Sequence, residues 1–166
     1  GTVSEFYVRT VCDNNTGFSP WAGPFVFGGY TELEIFAGLN EDVIANGIGP
    51  SASSTTNSID GGNFVLLSRD FKLNAPDSDL TFGLPTNGII NSASVPGLVF
   101  KINPLSNPYE GNNVLRIDTN GAANGGTLGF DTISNAEILY FLVTSGGGSS
   151  TVSGTIHIDD GSDQII

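Results

Sequence analysis

Three carboxylates, Asp159, Asp160 and Asp163, crowd into the run DDGSD around Gly161. Together with turn carbonyls, such a run could cage Ca²⁺, which takes about six to eight oxygen ligands. The spacing is not that of an EF-hand loop, and the reading the sequence favours is a hairpin turn, because Asp-Gly is a strong turn signal. Asp60 before Gly61 and Gly62 has the same double reading, and Glu41 with Asp42 forms a second oxygen pair ahead of the apolar VIA. His157 is the only histidine and Cys12 the only cysteine. These counts exclude multi-histidine metal centres, an internal disulfide and cysteine-based zinc sites. No G-x-S-x-G elbow accompanies His157. Glycoside hydrolysis needs two carboxylates about 5–10 Å apart across a cleft, and no spacing among the 17 Asp and Glu singles out such a pair. The chain therefore reads as non-catalytic.

Sugar binding needs exposed aromatic rings with polar partners beside them. Tyr109 lies in PLSNPYEGNN with Asn107, Asn112 and Asn113 close by and is the first candidate; Tyr30, Trp21, Phe18 and Phe82 follow. The bland alternative for Tyr109 is a loop tyrosine that caps the core.

The elements that must position these residues are strands. Of 166 residues, 23 are Gly and only 13% are charged, a composition suited to short strands and many turns and poorly suited to long helices. EFYVRTVC alternates, with Phe6, Val8, Thr10 and Cys12 on one face; DNNTGFSP is turn-rich, and WAGPFVF adds Trp21, Phe25 and Phe27. Residues 1–27 thus form an apolar hairpin, and GGY at 28–30 is a hinge. Further strands are expected at 31–37, 41–46, 63–71, 88–92, 99–103, 113–118, 126–130, 136–145 and 151–159, separated by Gly- and Asn-rich turns. About eight strands of this kind over residues 31–166 predict an all-β protein, a jelly-roll-like β-sandwich preceded by an N-terminal hairpin. Within it, AEILYFLVTS is expected to be a buried central strand.

Two resemblances follow from these strings. FYVRTVC followed by SPWAGPFVF resembles the last two strands of a fibronectin type III domain, of the kind found in exported proteins of Bacteroidota. The pattern running from NEDVIANG through TTNSIDGGNFVLLSRDF to ILYFLVTSGGGSSTVSGTIHIDDGS is similar to galactose-binding-like jelly rolls of flavobacterial surface proteins. The resemblance implies an accessory module at the cell surface or outside the cell. Asp131-Thr132-Ile133 is similar to the short motif that such organisms O-glycosylate, which implies modification at Thr132.

Net charge is −12, with five Lys and Arg. That argues against nucleic acid and anionic lipid as partners, and no apolar run has the ~20 residues of a membrane-spanning helix. The sequence contains no Met, so it is expected to be a processed piece of a longer product. A hairpin carrying Phe6, Val8, Trp21, Phe25 and Phe27 is marginal in water by itself. Burying those side chains is worth roughly 8–15 kcal/mol before entropy costs. The hairpin can fold back on its own body, belong to a neighbouring domain, or complete the sheet of another copy. The expected function is a self-assembling surface filament or adhesive subunit with no bound cofactor; a polysaccharide-binding accessory module is the alternative.

Overall fold

The computed structural model describes residues 3–12, 17–102, 109–118, 125–131, 136, 138–157 and 164–165; for residues 3, 4, 12, 25–28, 164 and 165 it describes the backbone only. The fold is all-β. The strands are β1 (Val3–Val8), β2 (Val11–Cys12), β3 (Gly17–Phe18), β4 (Ala22–Gly28), β5 (Ile35–Ala37), β6 (Ile44–Ala45), β7 (Leu66–Leu67), β8 (Ile89–Asn91), β9 (Val99–Lys101), β10 (Gly129–Phe130), β11 (Thr155–Ile156) and β12 (Gln164–Ile165). Among the described residues a 3-10 turn occupies Ser51–Ser53. Among the described residues the strands pair two by two: β1 with β4, β2 with β3, β5 with β10, β6 with β7, β8 with β9 and β11 with β12. Glycines, prolines and asparagines bound several of these short strands, as Gly88 and Asn91 do β8.

All of these pairs are antiparallel except β6 and β7, which run parallel with Ile44 beside Leu66 and Ala45 beside Leu67. This parallel pair is the centre of the body. Isolated bridges extend it on both sides, from Glu41 to Val114 and from Ser68 to Leu84. A parallel pair needs a crossover of a dozen or more residues. Here residues 46–65 supply it with turns, where a helix is the usual choice.

The core lies on this ribbon. Val43, Ile44 and Tyr109 are buried together, and Ile59, Leu66, Leu84, Ile102 and Val114 pack around them. The Tyr109 hydroxyl donates to the Pro85 carbonyl, so the one polar atom of the ring is satisfied at the bottom of the cluster. Burial, reinforced by the nearby Asp70 carboxylate, raises the phenol pKa further above its ordinary value. Gly38 is where β5 leaves its pairing with β10. Its φ is +100°, and a Cβ there would stand 1.9 Å from the Thr127 carbonyl oxygen, so only glycine fits.

One expected element is absent. Residues 138–145 join no ladder among the described residues, and Ile138, Phe141, Leu142 and Val143 are exposed, Val143 by 82%. An apolar run shows that burial would be favourable; it does not supply a neighbouring strand. Likewise 113–118 contributes one bridge, at Val114, where a full strand was expected.

Candidate functional site

Beside the core, three segments are tied together by polar side chains. Asn113 sits between them: its Nδ2 donates to Asp42 Oδ1 at 2.6 Å, and its Oδ1 accepts from the Val43 amide at 3.1 Å. Asp42 Oδ1 also accepts from the Ile44 amide. Glu41 accepts from the Thr56 hydroxyl at 2.8 Å and from Asn57 Nδ2 at 3.0 Å. Asn40 exchanges two hydrogen bonds with the backbone of Arg116, whose Nε donates to the Ser58 carbonyl. Every buried side-chain N and O of the described residues has a partner. The oxygens of Glu41 and Asp42 thus serve the fold.

Burial raises the Asp42 pKa, against the opposing hydrogen bonds from Asn113 and Ile44. Hydrogen bonds from Asn57 and Thr56, with a smaller contribution from the Arg116 charge, lower that of Glu41. The two neighbours therefore act oppositely on stability. For Asp42 the native state binds its proton more readily than the unfolded chain. The stability gained on protonation is complete below the unfolded pKa and is lost as pH rises through the raised native value. For Glu41 the contribution is present above the unfolded pKa and lost as pH falls through the lowered native value. Asp42→Asn retains an oxygen for Asn113 and Ile44 and removes the charge. Its stability relative to the native protein is expected to fall as pH drops from about 7 to about 4, measured by urea unfolding at a series of pH values. A gap that does not vary with pH would contradict the assignment.

The sugar candidate Tyr109 is corrected by its position: it is 1% exposed, so its ring is core and offers no face for stacking. Its apolar body and its bond to Pro85 explain why it turns inward from a turn-rich loop. Asn113 is spent on Asp42 and Val43, and Asn112 Nδ2 donates to the Leu39 carbonyl. Asn107 lies outside the described residues, as do Asp159, Asp160 and Asp163 of the Ca²⁺ candidate and Thr132 of the glycosylation candidate. Among the described residues no three His, Cys, Asp or Glu side chains converge as metal ligands. Asp60 is a turn residue, its Oδ1 accepting from the Gly62 and Phe64 amides. Of the other aromatics, Phe82 is exposed, and Tyr30 meets Tyr140 edge to face at 5.7 Å.

The aromatic surface is on the hairpin. β1 pairs with β4, with Phe6 opposite Phe25 and Ser4 opposite Phe27, and the register shifts between Phe6 and Val8. The shift falls where Pro24, which has no amide hydrogen, stands in β4. β2 and β3 close the distal end, Val11 opposite Phe18. Each of these four strands pairs only with another of them, so both outer edges of the β1–β4 ribbon are open among the described residues. Phe6 is 45% and Trp21 59% exposed, and Tyr7, Val8, Val11 and Phe18 are exposed to a similar degree. Of the five residues expected to form an assembly face, Phe6, Val8 and Trp21 are thus placed at the surface; Phe25 and Phe27 are described through their backbone pairing.

Sequence reading missed Arg9. Its guanidinium lies 3.8 Å from the centre of the Phe18 ring and 4.5 Å from that of Trp21, cation–π contacts that hold the two rings in a fixed array. The available signal was slight: one cation in a hairpin that also carries Phe18 and Trp21. Glu5, Phe6, Tyr7 and Trp21 line an open groove beside this array.

No helix of the described residues is long and apolar enough to cross a membrane. Comparison with known proteins returns no matching family model, no similar curated protein and no similar solved structure.

Proposed function

We propose that this chain is a non-catalytic, extracellular structural or adhesive subunit that joins copies of itself through its N-terminal hairpin. One observation carries the reading: among the described residues β1 to β4 pair only with one another, leaving both edges of the ribbon open, and they expose an array of large apolar side chains. An open edge presents unpaired amides and carbonyls that a second strand can satisfy. Exposed aromatics add the apolar contact that fixes the register of such a strand. A hairpin that inserts into a different surface of the next copy makes a head-to-tail contact, which does not close and therefore grows fibres. The extracellular setting rests on the resemblance to exported fibronectin type III and galactose-binding-like modules.

Negative-stain microscopy of the purified chain is expected to show filaments. A field of single particles at high concentration would count against the proposal.

A second reading is favoured by the groove of Glu5, Phe6, Tyr7 and Trp21. An exposed Trp and Tyr beside a carboxylate can stack on a sugar ring and accept from its hydroxyls. In that reading the chain is a carbohydrate-binding accessory module. A polysaccharide pull-down that is lost in Trp21→Ala would support it, and failure of the native chain to bind any polysaccharide would remove it.

A further inference from the structure

We propose that Asn46 and Gly47 form a self-modification site, at which the chain converts its own asparagine to aspartate and isoaspartate. The chemistry needs an asparagine followed by a residue whose amide nitrogen can reach the side-chain carbonyl, and glycine, with no Cβ, hinders that approach least. The Gly47 nitrogen gives up its proton to hydroxide and bonds to Cγ of Asn46. The side-chain amide leaves as ammonia, and a cyclic imide remains. Water then adds to one of the two imide carbonyls and breaks that carbon's bond to nitrogen. Opening at Cγ leaves aspartate. Opening at the backbone carbonyl leaves isoaspartate, in which the main chain runs through Cβ and Cγ and is one carbon longer. No oxidant or reductant takes part; water is consumed and ammonia released.

Four Asn-Gly pairs occur in the sequence, and two of them, Asn46-Gly47 and Asn87-Gly88, lie wholly within the described residues. Their surroundings differ. Asn87 is exposed, but its Oδ1 accepts from the Ile89 amide at 3.1 Å. Gly88 is buried, and its nitrogen donates to the Pro85 carbonyl at 2.9 Å. Ring closure there requires both bonds to break. The Asn46 side chain and the Gly47 amide make no hydrogen bond with the described residues. Asn46 donates its own amide to Ser54 Oγ at 3.2 Å, which fixes the backbone ahead of the pair and leaves the reacting groups free. Both residues are half-buried. Beyond its chain neighbours, no atom of the described residues lies within 4 Å of the place a Cβ of Gly47 would take, so water has room to enter. Exposure alone ranks Asn87 as the faster site; the hydrogen bonds rank Asn46 first.

Position gives the change a consequence. Ala45 is fully buried and its carbonyl accepts from the Ser68 amide at 2.9 Å, while the Gly47 carbonyl accepts from the Lys72 amide at 2.7 Å. Asn46 thus lies between two points at which the chain is tied to one neighbouring segment. An extra main-chain carbon between those points throws one of the two bonds out of register. The aspartate product keeps the register and adds one negative charge to a chain of net charge −12.

Ageing the full chain at mildly alkaline pH in heavy-oxygen water tests the proposal. Trypsin cuts after Arg9, Arg69, Lys72 and Lys101, which puts Asn46 in peptide 10–69 and Asn87 in peptide 73–101; mass spectrometry with electron-transfer fragmentation then reads each position. Position 46 is expected to become a mixture of the two acids, each carrying one heavy oxygen from the water, at least about tenfold faster than position 87. In urea, where both pairs are released, the two rates are expected to converge. Asn46→Gln is expected to abolish the fast acid formation in peptide 10–69. Conversion of Asn87 as fast as Asn46 in the folded chain would overturn the proposal, as would an Asn46 that stays an amide when folded while converting in urea. Undiminished acid formation in the Asn46→Gln peptide would move the reaction to another asparagine and overturn it too. The isoaspartate fraction is expected to melt below the Asn46→Asp variant, and equal melting would contradict the register argument.

Discussion

Tyr109→Ala is expected to lower the thermal midpoint of the protein by roughly 6–20 °C. Truncating a buried aromatic costs about 3–5 kcal/mol, and in a chain of this size each kcal/mol moves the midpoint by about 2–4 °C. The upper part of that range follows from the size of the core. Tyr109 packs directly on Val43 and Ile44, and few other large apolar side chains of the described residues are buried. Its removal also leaves the Pro85 carbonyl without the hydroxyl that satisfies it. Tyr109→Phe isolates that last contribution and should cost about 1 kcal/mol. Circular dichroism melts of the two variants beside the native chain check both values. A Tyr109→Ala variant that melts like the native protein would return Tyr109 to the surface and with it the possibility of a sugar platform on that loop.

Phe6→Asp combined with Trp21→Asp should abolish self-association while leaving the melting of the body unchanged. Interface energy concentrates in a few buried aromatic and arginine side chains, each worth about 2 kcal/mol or more. This pair would also carry two carboxylates into an apolar contact, where an unpaired charge is strongly disfavoured. Trp21 supports Arg9 as well, since the guanidinium rests on its ring and on that of Phe18. The body is indifferent because, among the described residues, β1 to β4 pair only with one another. Light scattering reads the association and calorimetry the melt. Persistence of assembly in the double variant would exclude the hairpin as the joint. A body melt that falls together with assembly would show that the hairpin packs on its own chain. Salt gives a second reading: with a net charge of −12, copies repel, so added salt should strengthen an association driven by apolar burial.

How much of this was legible before the structure can be judged residue by residue. The strand at Ile89–Asn91, that at Val99–Lys101 and the buried Ile44 follow from short apolar runs bounded by Gly, Pro and Asn. The alternation in EFYVRTVC found β1 and placed Phe6 and Val8 together. The parallel pairing of β6 with β7 was hidden, because local pattern carries no information on which distant run becomes a neighbour. Tyr109 misled for a related reason. Its surroundings are turn-rich and polar, yet a ring of that size is drawn inward where the core leaves room and a carbonyl can accept a hydrogen bond from its hydroxyl. Residues 138–143 misled in the opposite sense, since hydrophobicity measures the gain from burial and is silent on whether this copy of the chain provides a cover. The burial of Asp42 had no signal: a carboxylate ahead of Val43, Ile44 and Ala45 is held there by Asn113, far along the chain, together with the Ile44 amide.

Sedimentation velocity over a dilution series tests the central claim most directly. The account predicts a 17.2 kDa monomer at low concentration that gives way to dimers, trimers and longer species without a preferred end point as concentration rises. A single 17.2 kDa species throughout the series would contradict it.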